Sequence, residues 1–141
     1  MSNCKFCKIA QGQEKSWKVY ENDGVYAFLD INPANEYHTL VIPKQHYENM
    51  FDIPERELLE VMAVVKKLVT LFHRKLGIHA VQVINCSGSE AQQDVFHIHF
   101  HIVPRKRGDG QDVRWVTHPE WVVKFDQMIE MLNITARLDE T

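Results

Sequence analysis

The sequence has few cysteines, no long apolar run and no excess of positive charge. Three cysteines among 141 residues are an odd number and too few for the disulfide framework of a small secreted domain. The first residues lack the apolar core of a secretory signal, and no stretch approaches the roughly 18 residues of a membrane span. We therefore expect a cytoplasmic protein with no membrane partner.

Acidic side chains slightly outnumber basic ones, with 19 Asp and Glu against 16 Lys and Arg, so the formal net charge is −3. Proteins that bind nucleic acid normally carry a basic stripe, and we expect no specific nucleic-acid partner. The one basic cluster, residues 105–107, is typical of a solvated loop. Its alternative role is local attraction for a phosphate group.

The apolar pattern predicts an α+β chain. Five short strands are predicted, over residues 17–21, 25–29, 38–42, 80–85 and 95–103. A long amphipathic helix is predicted over 52–76, with Asp52 and Glu55 as its capping box. Residues 4–11 suit one or two helical turns, and a second helix is predicted from 119 to about 138. Because one clear helix interrupts the strands, hairpins and a meander-like antiparallel sheet are favoured.

The last predicted strand carries three histidines at alternate positions. Side chains of a strand alternate between its two faces, so His97, His99 and His101 share one face and apolar residues line the other. A row of imidazoles adds no stability, because charged rings repel each other and buried rings lose solvation. The row therefore indicates a functional site. Either the rings bind a metal ion, or a neutral ring attacks phosphorus while its neighbours donate hydrogen bonds to the phosphoryl oxygens.

Residues 97–103 fit the alternating histidine and apolar signature of the histidine triad (HIT) superfamily. Residues 25–33 and 38–46 are similar to the two N-terminal blocks of that family, and the resemblance covers residues 4–108. The chain resembles the Hint-like branch, particularly its bacterial-type members. The resemblance implies a HIT-like α+β fold, an antiparallel meander sheet with one long helix and a C-terminal helix. Residues 1–108 would form the HIT domain, and residues 109–141 a C-terminal extension packed on it.

The resemblance also implies a homodimer that hydrolyses purine nucleoside 5′-phosphoramidates or related adenylyl conjugates without a catalytic metal. His99 matches the nucleophile that attacks the α-phosphorus and forms a nucleotidyl-histidine. His97 and His101 match the flanking catalytic positions, which orient the nucleophile and bind the phosphate. Gln93 and Asn85 match amide side chains near the phosphate, the first counted as catalytic and the second as nucleotide-binding.

Further residues match the nucleoside half of the family's site. Asp30 matches the carboxylate that accepts the ribose hydroxyls, and His38 is expected to support the triad by hydrogen bonding. The apolar base pocket is matched by Phe6, Ile9, Phe28 and Ile31. From the residues alone, Asp30 also suits a turn and the four apolar residues also suit an ordinary core.

Three positions depart from the family pattern. Gln92 replaces a glycine that would let backbone amides approach the phosphate, and Tyr37 stands before His38 where glycine is common. Asp94 brings a negative charge towards an anionic substrate, which is unfavourable unless it pairs with His101 or with a leaving-group amine. These departures leave the preferred substrate open.

Cys4 and Cys7 form a C-x-x-C pair, whose simplest interpretation is two buried thiols in a short helix. Some Hint-like proteins hold a structural zinc ion on such a pair and two histidines. Here the matching histidines are His46 and His97, and we expect a closed Cys₂His₂ site. This site would tie the N-terminus to the histidine strand.

Other functions remain open from the sequence. A dinucleoside polyphosphate hydrolase of the fragile-histidine-triad type would use the same nucleophile. A metalloenzyme would use His97, His99 and His101 as ligands of a catalytic zinc ion. A non-catalytic nucleotide-binding or interaction module would bind the purine nucleotide without turnover.

Overall fold

The computed structural model describes residues 3–132 of the chain. Its contacts separate two compact units, a first that ends at Gln111 and a second that begins at Asp112. The predicted boundary after residue 108 lies close to this division, and the packing of a C-terminal extension on the HIT domain stays a prediction. Within residues 3–132, no helix is both long enough and apolar enough to cross a membrane.

The first unit is built on an open five-stranded antiparallel sheet, which confirms the predicted α+β class. Its strands are β1 Lys18–Glu21, β2 Val25–Leu29, β3 Thr39–Pro43, β4 Val81–Ile84 and β5 Phe100–Pro104. The spatial order is β1-β2-β3-β5-β4, so β5 lies between β3 and β4, and β4 forms one edge. A short hairpin joins β1 to β2, whereas the antiparallel pair β4 and β5 is joined by the longer segment 85–99.

Both faces of the central strands are buried. Val25 and Ala27 of β2 belong to the main core under the long helix, whereas Tyr26 and Phe28 belong to a second cluster with Ile9. That second cluster is covered by the short helix α1, Lys5–Ala10. Burial on both faces explains why β2 and β3 read as continuous apolar runs.

The long helix α2 spans Glu55–Leu76. The predicted capping box is wrong, because Pro54 precedes the helix without a side-chain cap, and Asp52 instead accepts backbone N–H bonds from Glu48 and Asn49. The side chains that α2 buries are Val61, Val64, Val65, Leu68 and Phe72.

The second unit is helical over its described C-terminal part. A 3₁₀ turn, Pro119–Lys124, leads into α3, Phe125–Leu132. The rest of the helix predicted to residue 138 lies outside the described residues. Residues 112–132 bury none of their side chains, although they include two tryptophans and several large aliphatic residues.

Candidate functional site

Residues 95–97 form bends, and the strand begins later than predicted. β5 starts at Phe100, and the preceding backbone is held where Ile98 N–H donates to the Tyr47 carbonyl at 2.7 Å. The alternation of faces is kept, because Ile98, Phe100 and Ile102 belong to the main core. The three histidines lie on the opposite side, at the border of the second cluster.

His99 has a defined proton arrangement. Its Nδ1 lies 2.9 Å from the carbonyl oxygen of His97, which can only accept, so Nδ1 carries the proton. In the neutral ring, Nε2 therefore has the free lone pair. Asn85 donates its side-chain N–H to the carbonyl of His99 at 3.0 Å, and Phe6 packs against the ring at a centroid distance of 5.2 Å. The ring that matches the family's nucleophile is thus buried and held in one orientation.

A hydrogen-bond chain defines the tautomer of His101. The backbone N–H of Ala34 donates to Nδ1 of His38 at 2.9 Å, so neutral His38 carries its proton on Nε2. His38 Nε2 in turn lies 2.9 Å from Nδ1 of His101 and donates to it. Neutral His101 therefore carries its proton on Nε2. Burial, with nearby positive charge on His99 and His38, lowers the pKa of His101 to about 4, so the ring is neutral at pH 7.

Asp30, His38 and His101 bring three ligand-type atoms within 4.8 Å of one another. The donor set does not suit a metal ion, because Ala34 N–H occupies Nδ1 of His38 and leaves the proton on the Nε2 that would have to bind the ion. Asp30 lies 3.5 Å from that Nε2 and is better described as its electrostatic partner. The hydrogen bond from His38 to His101 is the contact through which His38 would support the triad.

Cys4, Cys7, His46 and His97 form a second cluster, in which all four ligand atoms lie within 4.8 Å of one another. His97 Nδ1 is 3.4 Å from each sulfur and 3.2 Å from Nδ1 of His46, and Cys7 Sγ is 3.5 Å from Nδ1 of His46. Tetrahedral zinc, with bonds of about 2.0 Å to nitrogen and 2.3 Å to sulfur, holds its ligand atoms about 3.3–3.8 Å apart. The separations fit such an ion.

The protonation of the cluster also fits a cation. His97 Nε2 donates to the carbonyl of Pro43 at 2.8 Å, which leaves its Nδ1 lone pair directed to the other three ligands. Burial lowers the pKa of His97 to about 4, so the ring is neutral and competent to bind a metal. Burial raises the pKa of the Cys7 thiol, and a divalent cation would reverse that effect. The four residues can hold a metal ion.

A cavity of about 530 Å³ opens beside the histidines, a volume within the range of small-molecule sites. Seven of the predicted site residues line it: Phe6, Ile9, Phe28, Asp30, Ile31, His99 and His101. Sequence reasoning did not find Lys15, Ser16 and Trp17, which also line it from the segment before β1. Their proximity depends on how that segment crosses the sheet, and the sequence carries no local signal for it.

Asn85 and Gln93 do not line this cavity. The Gln93 amide is fully used, since its Nε2 donates to the carbonyls of Glu48 and Val95 and its Oε1 accepts from Gly88 N–H and Asn49 Nδ2. A contact between Gln93 and phosphate would have to replace one of these bonds, and its catalytic role stays a prediction. Asn85 donates to the carbonyl of His99, and its nucleotide-binding role stays a prediction.

Two of the departures from the family pattern occupy left-handed backbone. Tyr37 has φ 65° and Gln92 has φ 71°, the two positive φ values among the described non-glycine residues. This region favours glycine, because a Cβ crowds the carbonyl there. The Tyr37 ring packs near Phe72 at a centroid distance of 6.2 Å, whereas the Gln92 side chain is exposed.

An antiparallel sheet that presents alternate imidazoles to a partly apolar cleft defines a small-molecule site of the histidine-triad class. The HIT domain family matches residues 11–108. The chain therefore belongs to the HIT family, which confirms the resemblance noted in the sequence.

Three known proteins illustrate the similarity. An uncharacterised HIT-like protein of Methanocaldococcus jannaschii is 47% identical over 112 residues, which are 79% of this chain and 86% of that protein. Adenosine 5′-monophosphoramidase HNT1 of Saccharomyces cerevisiae is 36% identical over 126 residues, 89% of this chain and 75% of the yeast protein. A zinc-bound histidine triad family protein of Mycobacterium smegmatis, known by its crystal structure, has a TM-score of 0.75 and 30% identity, covering 90% of this chain and 98% of its own.

Proposed function

We propose that this protein hydrolyses purine nucleoside 5′-phosphoramidates through a covalent nucleotidyl-His99 intermediate. The observation that carries the proposal is the free Nε2 lone pair of His99, which the Nδ1–H bond to the His97 carbonyl defines on a ring that lines the cavity. The 5′-monophosphoramidase activity named for the yeast relative supports the reaction class.

The cavity offers a place for each part of the substrate. The purine would lie against the apolar wall, and the ribose hydroxyls would meet Asp30. One Asp30 oxygen already accepts from Asn32 N–H at 2.8 Å, which orients the carboxylate. The phosphate would then lie at His99 and His101, at the polar end of the same cavity. The predicted base pocket comprises Phe6, Ile9, Phe28 and Ile31.

The chemistry divides into two displacements in this proposal. In the first, His99 Nε2 bonds to the α-phosphorus, the bond from phosphorus to the leaving nitrogen breaks with its electron pair, and that nitrogen takes a proton from solvent. The Nε2–H of neutral His101 donates a hydrogen bond to a phosphoryl oxygen and keeps its proton. In the second, water attacks phosphorus and releases one proton to solvent, and the bond to His99 breaks. The products are the nucleoside monophosphate and the free amine, and the His99 ring regains its starting state.

The test is turnover of adenosine 5′-phosphoramidate by the wild type and by His99→Ala. We expect the variant to lose at least about a thousandfold in kcat and to retain nucleotide binding by calorimetry. Exposed His79, which does not line the cavity, provides the control His79→Ala with unchanged turnover. Mass spectrometry of the quenched wild-type reaction should find a nucleotidyl adduct on His99, and undiminished turnover by His99→Ala would contradict the proposal.

The second part of the proposal is a structural zinc ion on Cys4, Cys7, His46 and His97. The ligand separations and the free Nδ1 of His97 support it, as does the zinc-bound relative. The ion's charge would stabilise both thiolates and fix the short helix α1. It takes no step in the displacement at phosphorus.

A homodimer and a cytoplasmic location complete the proposal. β4 lies at the edge of the sheet with Val83 about two-fifths exposed, so a second copy could extend the sheet there. Light scattering should then give twice the chain mass of 16.5 kDa.

A further inference from the structure

Asp94 is the acidic residue beside the reacting nitrogen. Its Oδ1 lies 3.6 Å from Nε2 of His99, and it lines the same cavity. The same oxygen accepts the backbone N–H of Val95 at 2.8 Å, which holds the carboxylate at this place although the side chain is 79% exposed. Asp94 therefore stands at the open mouth of the cavity, next to the phosphorus that would bond to His99.

This placement has an electrostatic cost for an anionic substrate. In the neutral ring of His99, the Nε2 lone pair and the carboxylate are both acceptors, with no proton to share between them. A phosphate bound there adds another negative charge within a few ångströms. The unfavourable interaction increases when the leaving group is itself a polyphosphate, and it is offset when the leaving group is a cation.

Other charged groups of the cavity are placed differently. Lys5 and Lys15 line it from the segments that also supply the apolar wall, and Lys15 Nζ lies 5.0 Å from the ring centroid of Trp17. Asp30 is engaged by Asn32 N–H and lies near His38. Glu14 also lines the cavity, but Asp94 is the carboxylate for which the described residues show a contact with Nε2 of His99.

We propose that Asp94 selects substrates by the charge of the leaving group. The favoured class is a nucleoside phosphoramidate whose amine carries a positive charge, and the disfavoured class is a dinucleoside polyphosphate. This inference rests on the proposed function and deepens it. Selectivity arises both from attraction of the cation and from repulsion of the polyphosphate, as charge-based discrimination commonly does.

The experiment compares three adenosine substrates: a phosphoramidate of a neutral alkylamine, a phosphoramidate of a diamine with one free ammonium group, and diadenosine tetraphosphate. In the wild type, we expect kcat/KM for the diamine substrate to exceed that for the alkylamine substrate by about threefold to tenfold. In Asp94→Asn, which keeps the acceptor for Val95 N–H, this ratio should fall to about one. Turnover of the tetraphosphate should rise by a similar factor.

Two further variants make the test specific. Asp94→Glu keeps the charge and should keep the selectivity. If the ratio of the two kcat/KM values fell to about one in this variant, the shape of the side chain and not its charge would determine the selectivity. Glu90→Gln removes the same charge from an exposed position of the same loop that does not line the cavity, and should leave the ratio unchanged. Added salt should reduce the wild-type ratio, because exposed charges are screened.

The outcomes separate the two proposals. Equal ratios in the wild type and Asp94→Asn, with the phosphoramidates turned over, would overturn the role of Asp94 and leave the proposed function standing. Absence of phosphoramidate turnover by the wild type would contradict the proposed function and the inference with it. Thermal melting of each variant confirms that the compared proteins are folded.

Discussion

Successive histidines of the triad carry their protons on opposite nitrogens. His97 is protonated on Nε2 by its bond to Pro43, His99 on Nδ1 by its bond to the His97 carbonyl, and His101 on Nε2 through His38. The sequence spacing predicts that the three rings share a face. It cannot predict this proton arrangement, because each tautomer depends on a backbone group that only the folded chain brings near.

At the scale of single residues, Gln92 is the clearest strained position, with φ 71° and an exposed side chain. We predict that Gln92→Gly raises the free energy of unfolding by about 0.5–1 kcal/mol, because glycine adopts the left-handed region without the Cβ conflict. Urea denaturation measures the change. Gln11→Gly, at an exposed position with φ −89°, is the matched control and should destabilise. Equal destabilisation by both substitutions would contradict the argument.

At the scale of elements, α1 combines two tasks in six residues. Cys7 and the preceding Cys4 belong to the cluster that can hold a metal ion, while Phe6 and Ile9 line the cavity. A helix this short is not stable alone, so its position depends on tertiary contacts. Binding of a metal ion would therefore also organise the wall of the base pocket.

We predict that the double variant Cys4→Ser, Cys7→Ser loses its zinc and binds nucleotide more weakly, with KM raised about tenfold or more and kcat changed less. The reason is that α1 loses its anchor, whereas Nε2 of His99 keeps its tautomer. Elemental analysis, KM and the melting temperature are the measurements. Cys86→Ser, outside the cluster, should leave all three unchanged. Full zinc content in the double variant would rule out these ligands.

Two elements begin several residues later than predicted, for local reasons. β5 begins at Phe100, since the residues before it bond to the loop at Tyr47 rather than to a strand. α2 begins after Pro54, which restricts its own φ and leaves Asp52 to close the preceding loop. Apolar periodicity predicts that an element exists, but its ends depend on such loop contacts.

At the scale of the whole molecule, His101 contributes to the pH dependence of stability, and the lowered pKa of His97 acts in the same direction. Burial lowers its folded pKa to about 4, with charges on His99 and His38 adding to the effect and Asp30 and Asp94 opposing it. The unfolded chain has the ordinary value near 6.5, so between pH 6.5 and 4 the unfolded state binds more protons. The contribution of His101 to stability should therefore fall as the pH is lowered through this window and stay level above it.

His101→Gln isolates this contribution, because glutamine keeps hydrogen-bonding capacity without titrating. We expect the wild type to lose more stability than His101→Gln between pH 6.5 and 4, by at most about 1.4 kcal/mol per pH unit for one proton and by less because the ring is partly exposed. Urea unfolding at several pH values provides the comparison. Parallel pH profiles for the two proteins would show that His101 does not couple to folding.

The strand register of β3 determines which ring nitrogens of His97 and His101 carry a proton. Leu40 of β3 pairs with His101, which brings the adjoining His38 within reach of that ring, and Pro43 at the end of β3 supplies the carbonyl for His97. A slip of one residue would displace these groups by about 3.3 Å and break both bonds. Misregistered molecules would keep their secondary structure and lose the site, so circular dichroism could not distinguish them from active ones.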